Sequence, residues 1–220
     1  MIETGISFGN IHSFYDLDLI LSAVDISPAI PKTTYVDIPG ADGSIDLTEA
    51  HGDVRFSDRT HKFTLTMNPM GDLSENAWEA KKTAVCNALN GQSCRITLDK
   101  DPDCYWVGRL TVDSFKSNKR VRQFVISARV KPYKFKQTET VASFNLTGAK
   151  KTVLLQNSRK PVVPVITCTD DNTVIVFKGN TFNFGKGSHK ALDIRFTEGN
   201  NEVTVSGTGQ VTFTYQEGDL

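Results

Sequence analysis

No stretch of this 220-residue chain approaches the roughly 20 consecutive apolar residues that a membrane-spanning helix needs. The longest early apolar run is broken by Asp16, Asp18 and Asp25, so membrane insertion is not expected. A basic flank ahead of an apolar core is also missing at the start, which argues against a secretion signal and for synthesis in a cytoplasm. Asn145-Leu146-Thr147 is then an idle glycosylation sequon. Cysteine is scarce, and Cys86, Cys94, Cys104 and Cys168 never stand at CxxC spacing. Zinc sites and disulfide frameworks lack their pattern, and buried thiols in a reducing compartment are expected. A charge surplus is missing too, with 25 Lys+Arg against 25 Asp+Glu and a formal net charge of zero. Nucleic-acid binders draw much of their affinity from neutralising phosphates, so nucleic-acid binding is not expected. Only Lys116, Lys119, Arg120 and Arg122 cluster, and beside a hairpin turn they read as a solvated tip.

The motifs of catalysis are absent as well. No GxSxG elbow occurs. Asp99-x-Asp101-x-Asp103 opens like a calcium loop, but its sixth position is Cys104 where Gly is needed and its twelfth is Leu110 where Glu is needed. Of the histidines His12, His51, His61 and His189, His51 and His61 can approach across neighbouring strands, yet no carboxylate or thiol stands at a ligand spacing from them. Gly185-Lys186-Gly187-Ser188 suggests a phosphate cradle but lacks P-loop spacing and a following helix, and reads as a β-turn. Hence no catalytic residue, metal ligand or cofactor is assigned, and an enzyme is not expected. Sugar binding needs an exposed aromatic platform. Phe177, Phe182 and Phe184 are candidates, but Phe182 and Phe184 alternate onto one face and read as core.

What the chain does have is turns, short alternating segments and 13 phenylalanines, enough for a core. Ile38 to Thr48, reading IPGADGSIDLT, carries the turn pairs Pro39-Gly40 and Asp42-Gly43 and demands a tight reversal between strands. Leu17, Leu19 and Leu21 alternate with polar neighbours, as do Phe63, Leu65 and Met67. Pro28 and Pro31 mark an edge or loop between them. One helix is predicted over about 73–90, with Asp72 and Glu75 as its capping box, Trp78, Val85 and Leu89 on its buried stripe and Asn90-Gly91 as its stop. A strand at Arg95–Leu98, a turn at Asp99–Asp103 and a long hairpin, Tyr105–Phe115 and Val121–Lys131, follow.

Residues 134–140 read as a polar linker between a first domain over 1–133 and a second over 141–220. The second shows strand patterns at Ala142–Leu146, Lys151–Gln156, Val162–Thr169, Thr173–Lys178, Asn180–Phe184, Ala191–Phe196, Asn201–Val205 and Gln210–Gln216. That density is the pattern of an antiparallel β-sandwich. The fold class is therefore mostly β with one helix.

In order along the chain, GISFGNIHSFYDLDLIL, IPGADGSIDLTE, VRFSDRTHKFTLTM, the helix with Trp78, DCYWVGRL and SGTGQVTFTYQEGDL resemble the distal tail protein (Dit) family of long-tailed bacteriophages (siphophages) and prophages. The resemblance implies an N-terminal β-rich ring-forming domain, a homohexameric ring and a galectin-like C-terminal sandwich. It also implies a virion protein made in the bacterial host cytoplasm, a structural tail-tip hub of the adhesion device. That hub would join the tail tube protein to a tail-associated lysin or fibre protein, with receptor-binding proteins around it. Larger relatives carry inserted carbohydrate-binding modules or long arms, and this chain is expected to have no room for either, which argues against direct binding of host sugar. Unbroken alternation makes the hairpin Tyr105–Lys131 and the early strand Gly5–Ile11 the expected edges for pairing between copies. A carbohydrate-binding adhesion module recognising the host surface and another kind of tail tube or baseplate subunit are the alternatives.

Overall fold

A computed structural model describes residues 5–50, 52–118 and 121–220. The chain divides after Lys134 into two compact units, each with its own apolar core.

The first unit runs β1 (Ile6–Phe8), β2 (Ile11–His12), β3 (Leu19–Asp25), β4 (Tyr35–Asp37), β5 (Ser44–Asp46), β6 (Arg59–Met67), α1 (Glu75–Leu89), β7 (Ser93–Leu98), β8 (Asp101–Ser117) and β9 (Arg122–Val130). Its main sheet has the order β2-β1-β7-β8-β9-β6-β3, antiparallel throughout. Strand alternation sends Phe63, Leu65 and Met67 of β6 and Phe124, Ile126, Ala128 and Val130 of β9 to one face. That sheet curls, because Phe8 of β1 meets Phe63 of β6 edge to face at 5.9 Å with three strands between them in the order. Bulges in β3 and β8 bend the ladder. At Gly108, β8 is paired to β7 on one side and β9 on the other. A Cβ there would lie 2.6 Å from the Arg129 carbonyl oxygen, so only glycine allows that approach.

Helix α1 packs Trp78, Val85 and Leu89 into this core, each worth about 1.5–3 kcal/mol of burial. Its start differs from the expected capping box. Ser74 is the N-cap, its Oγ accepting from the Ala77 amide at 3.2 Å, while Asp72 instead accepts the Ser74 amide at 2.8 Å. Hydrogen bonds from the Ser74 amide and hydroxyl hold the Asp72 carboxyl below its usual range. Glu75 pairs outward with Arg122 Nη2 at 2.7 Å. Arg122, expected in a solvated tip, is therefore buried, donating also to the Ser74 carbonyl and lying 5.6 Å over the Trp78 ring. Lys119 and Arg120 of that cluster lie outside the described residues.

The pairing corrects the expected free edges. β9 has β8 on one side and β6 on the other, and β1 lies between β2 and β7. Among the described residues, open edges belong to β3, the two-residue β2 and the outer part of β8, where Ser114–Ser117 pair with β9 alone and the expected hairpin edge survives. The turn expected at Asp99–Asp103 is also shorter, since β8 already begins at Asp101, which pairs with Leu98.

The stretch read as a linker carries a short strand, β10 (Lys134–Lys136). The second unit then has β11 (Thr140–Thr147), β12 (Lys151–Asn157), β13 (Val165–Cys168), β14 (Thr173–Phe177), β15 (Asn180–Phe184), β16 (Gly187–His189), β17 (Gly199–Ser206), β18 (Thr208–Tyr215) and β19 (Gly218–Asp219). Two four-stranded sheets, β11-β18-β13-β16 and β12-β17-β14-β15, supply its core from their facing sides. Ala191–Phe196, expected as a strand, makes only an isolated bridge from Phe196 to Val162. Its alternation is nonetheless real, because Ile194 and Phe196 are fully buried and plug the core from a loop. Gly187–His189 takes the vacant place in the ladder.

Candidate assembly surface

Catalytic machinery is the first thing to test against the geometry. His12 has both ring nitrogens engaged: Nε2 lies 3.2 Å from each Asp99 carboxylate oxygen, and Nδ1 accepts the amides of Phe14 and Tyr15 at 3.1 and 3.2 Å. An imidazole held this way has no free lone pair to take a proton from a substrate. Burial, with the Arg59 charge beside it, pushes His61 down to about 4. His189 Nε2 bonds the Gly185 carbonyl at 2.7 Å. His51 lies outside the described residues, so the expected approach of His51 to His61 lies outside them too.

The other chemical motifs resolve into structure in the same way. Asp99 also accepts the Gly5 amide at 2.8 Å, and Asp101 pairs with Lys134 at 2.8 Å. Among the described residues no three His, Cys, Asp or Glu side chains gather as a metal site would require. The four cysteines form no disulfide; Cys168 is buried, whereas Cys86, Cys94 and Cys104 are half-buried rather than fully buried as expected. Burial pushes the Cys94 and Cys168 thiols up, away from reactive thiolates. In the glycine-rich segment the Lys186 amide donates to Asp171 Oδ1, so a carboxylate of the chain sits where a phosphate would. Phe177 is core and Phe182 and Phe184 pack against it, leaving none as an open platform.

The surface that stands out is the hairpin of β4 and β5, the segment IPGADGSIDLT and its approach. It is a two-stranded ribbon with the register Tyr35↔Asp46, Val36↔Ile45 and Asp37↔Ser44. Gly40 and Gly43, with φ of 83° and 77°, make its turn in the left-handed region that favours glycine. Its root is pinned by the Pro31–Phe56 bridge and by backbone bonds from Lys32 to Arg55 and from Ser57 to Ile30. Further out, the Leu47 amide donates to the Thr34 carbonyl, and Thr48 Oγ1 accepts the Thr34 amide. Hydrogen bonds from the Thr48 hydroxyl and amide hold the Asp46 carboxyl below its usual range.

This ribbon has no core of its own. Every residue from Pro31 to Leu47 is exposed. Val36 and Ile45 pair directly, and Ile38 and Leu47 follow at two-residue spacing, so four apolar side chains share one face while Asp37, Ser44 and Asp46 take the other. Ile30 is also exposed, at 64%, and Tyr35, at 59%, stands on the face of Asp37, Ser44 and Asp46. Two strands alone are marginal in water, and contiguous exposed apolar area marks an interaction surface. Sequence reasoning located the turn but missed this face, because its alternation reads like that of any half-buried strand.

No family model matches the chain, and no curated protein aligns with it. Among solved structures it is similar to the SPP1 Dit protein (gp 19.1), described as a paradigm of the hub adsorption apparatus in phages that infect Gram-positive bacteria. The TM-score is 0.70 at 13% identity, over 99% of both chains. Weaker likenesses are to chains in the phage P2 baseplate, activated with Ca (TM-score 0.40, 8% identity, 99% of this chain and 98% of that) or with Sr (0.41, 10%, 97% of each). The chain thus has the fold of a Dit protein over nearly its full length.

Proposed function

We propose that this protein is a structural hub of a phage tail tip, working by self-association and docking rather than by turnover. Copies form a closed ring of six, joining the tail tube protein on one face to a tail-associated lysin or fibre protein on the other, with receptor-binding proteins around it. It resides in the virion after synthesis in the host cytoplasm. The fold shared with a hub protein supports this reading, and the observation that carries it is the coreless β4–β5 arm. An amphipathic ribbon whose four apolar side chains stay 42–47% exposed gains further cover from the next copy. One such heterologous contact, repeated, closes a ring.

Electron microscopy of the purified chain tests the proposal. Closed rings that neither stack nor polymerise are expected. Open filaments would point instead to a tube-type subunit, and single copies at every concentration would overturn the reading.

A further inference from the structure

Arg59 and His61 lie two residues apart on β6 and both face the core, at 6% and 0% exposure. Their cross-strand neighbours on β9 are Val130 and Ala128, which pair in turn with Gly108 and Leu110 of β8. The small residues Ala128 and Gly108 leave the Trp106 ring free to reach His61, which it meets edge to face at 5.2 Å. Four nitrogens here are buried without a partner among the described residues: Arg59 Nε, His61 Nδ1 and Nε2, and Trp106 Nε1.

Buried polar groups are nearly always hydrogen-bonded, and a buried charge is nearly always compensated. Arg59 has neither in full: its one hydrogen bond among the described residues is a 3.5 Å contact from Nη1 to the Ser27 carbonyl, and no described carboxylate pairs with it. The nearby charges do not close the deficit. Asp25, on β3, is exposed and acts on His61 only through space. Lys134 lies 5.9 Å over the Trp106 ring and is itself paired with Asp101. β9 brings only Ala128 and Val130. What remains is a cation and two N–H-bearing rings with no acceptor.

We propose that Arg59, His61 and Trp106 form an internal site for a small monovalent anion such as chloride. The guanidinium supplies the charge, and the indole and imidazole N–H groups supply the directed donors. A bound anion also makes a proton on His61 favourable, so anion and proton bind together and affinity rises as pH falls. The site is within the first unit and independent of the ring.

Thermal unfolding of the full chain in sodium chloride against sodium gluconate at equal ionic strength is the test, with bromide-soaked crystals as a second measurement. The expected result is a melting point that rises and saturates with chloride alone, more at pH 5 than at pH 8. Trp106→Phe, which removes the N–H and replaces the indole with a smaller phenyl ring, should weaken that rise, and Arg59→Leu should abolish it. An anomalous bromide peak should stand within hydrogen-bonding distance of Arg59 Nε and Trp106 Nε1. Equal stabilisation by both salts, a response unchanged in the variants, or no peak at the site would overturn the proposal, and the crystal decides if a variant fails to fold.

Discussion

Single residues set how each unit responds to acid. Burial and Arg59 hold folded His61 at about 4, whereas an unfolded histidine titrates near 6.5. A depressed folded value means the stability from neutral His61 is complete above about pH 6.5 and is lost as pH falls towards 4. The linkage is on the order of 3 kcal/mol by pH 4. In chloride-free buffer, urea midpoints of the first unit should fall over that window, and His61→Phe should flatten the fall. A slope unchanged by the substitution would contradict the assignment. In the second unit, burial alone would raise Glu217, but hydrogen bonds from Lys136, Thr140 and Ser158 and the Lys136 charge outweigh it and hold the carboxyl below its usual range. Its contribution is therefore present above the ordinary glutamate pKa and lost as pH drops below it. Lys136 is half exposed and can turn to water, but the Thr140 and Ser158 hydroxyls lose their acceptor, so Glu217→Ala should lower the second unit's stability by about 1–2 kcal/mol in calorimetry at pH 7. Gly108→Ala should cost the first unit about 1–3 kcal/mol, because the new methyl meets backbone that cannot yield.

Among the elements, the arm and the helix make separable predictions. Ile45→Asp places a charge on the ribbon's apolar face, where no core is disturbed. The isolated chain should keep its melting point within about 0.5 kcal/mol of stability while losing self-association in sedimentation. Ser74→Ala should cost about 1 kcal/mol by removing the N-cap, and Asp72→Ala should cost less. Much of this level was legible in the sequence: the alternation of β6 and β9, the stripe of Trp78, Val85 and Leu89, and the sandwich all follow from period and turn chemistry. Edge and interior were not, because which strand lies beside β9 is decided by Arg59–Thr66, over 50 residues earlier in the chain. Nor did alternation at Ala191–Phe196 imply a ladder, since burial of Ile194 and Phe196 needs no strand partner. His61 was legible only as a partner for His51, and Arg59 not at all, because polar residues at a strand's start read as its solvated end.

For the whole molecule, neutrality and the apolar arm point the same way. With 25 charges of each sign, copies would neither repel nor attract strongly at long range, so the proposed assembly would rest on apolar contact. Raising salt should then leave association unchanged or tighten it, because screening has little to remove and salt favours apolar burial. Dissociation in high salt would instead place the ring contact on ion pairs.

The most direct measurement is the mass of the particle in solution, by light scattering, for the native chain and for Ile45→Asp at the same concentration. The account predicts six copies for the native chain and one for the variant, with matching circular dichroism. A native chain that stays single, or a variant that assembles as well as the native, would contradict it.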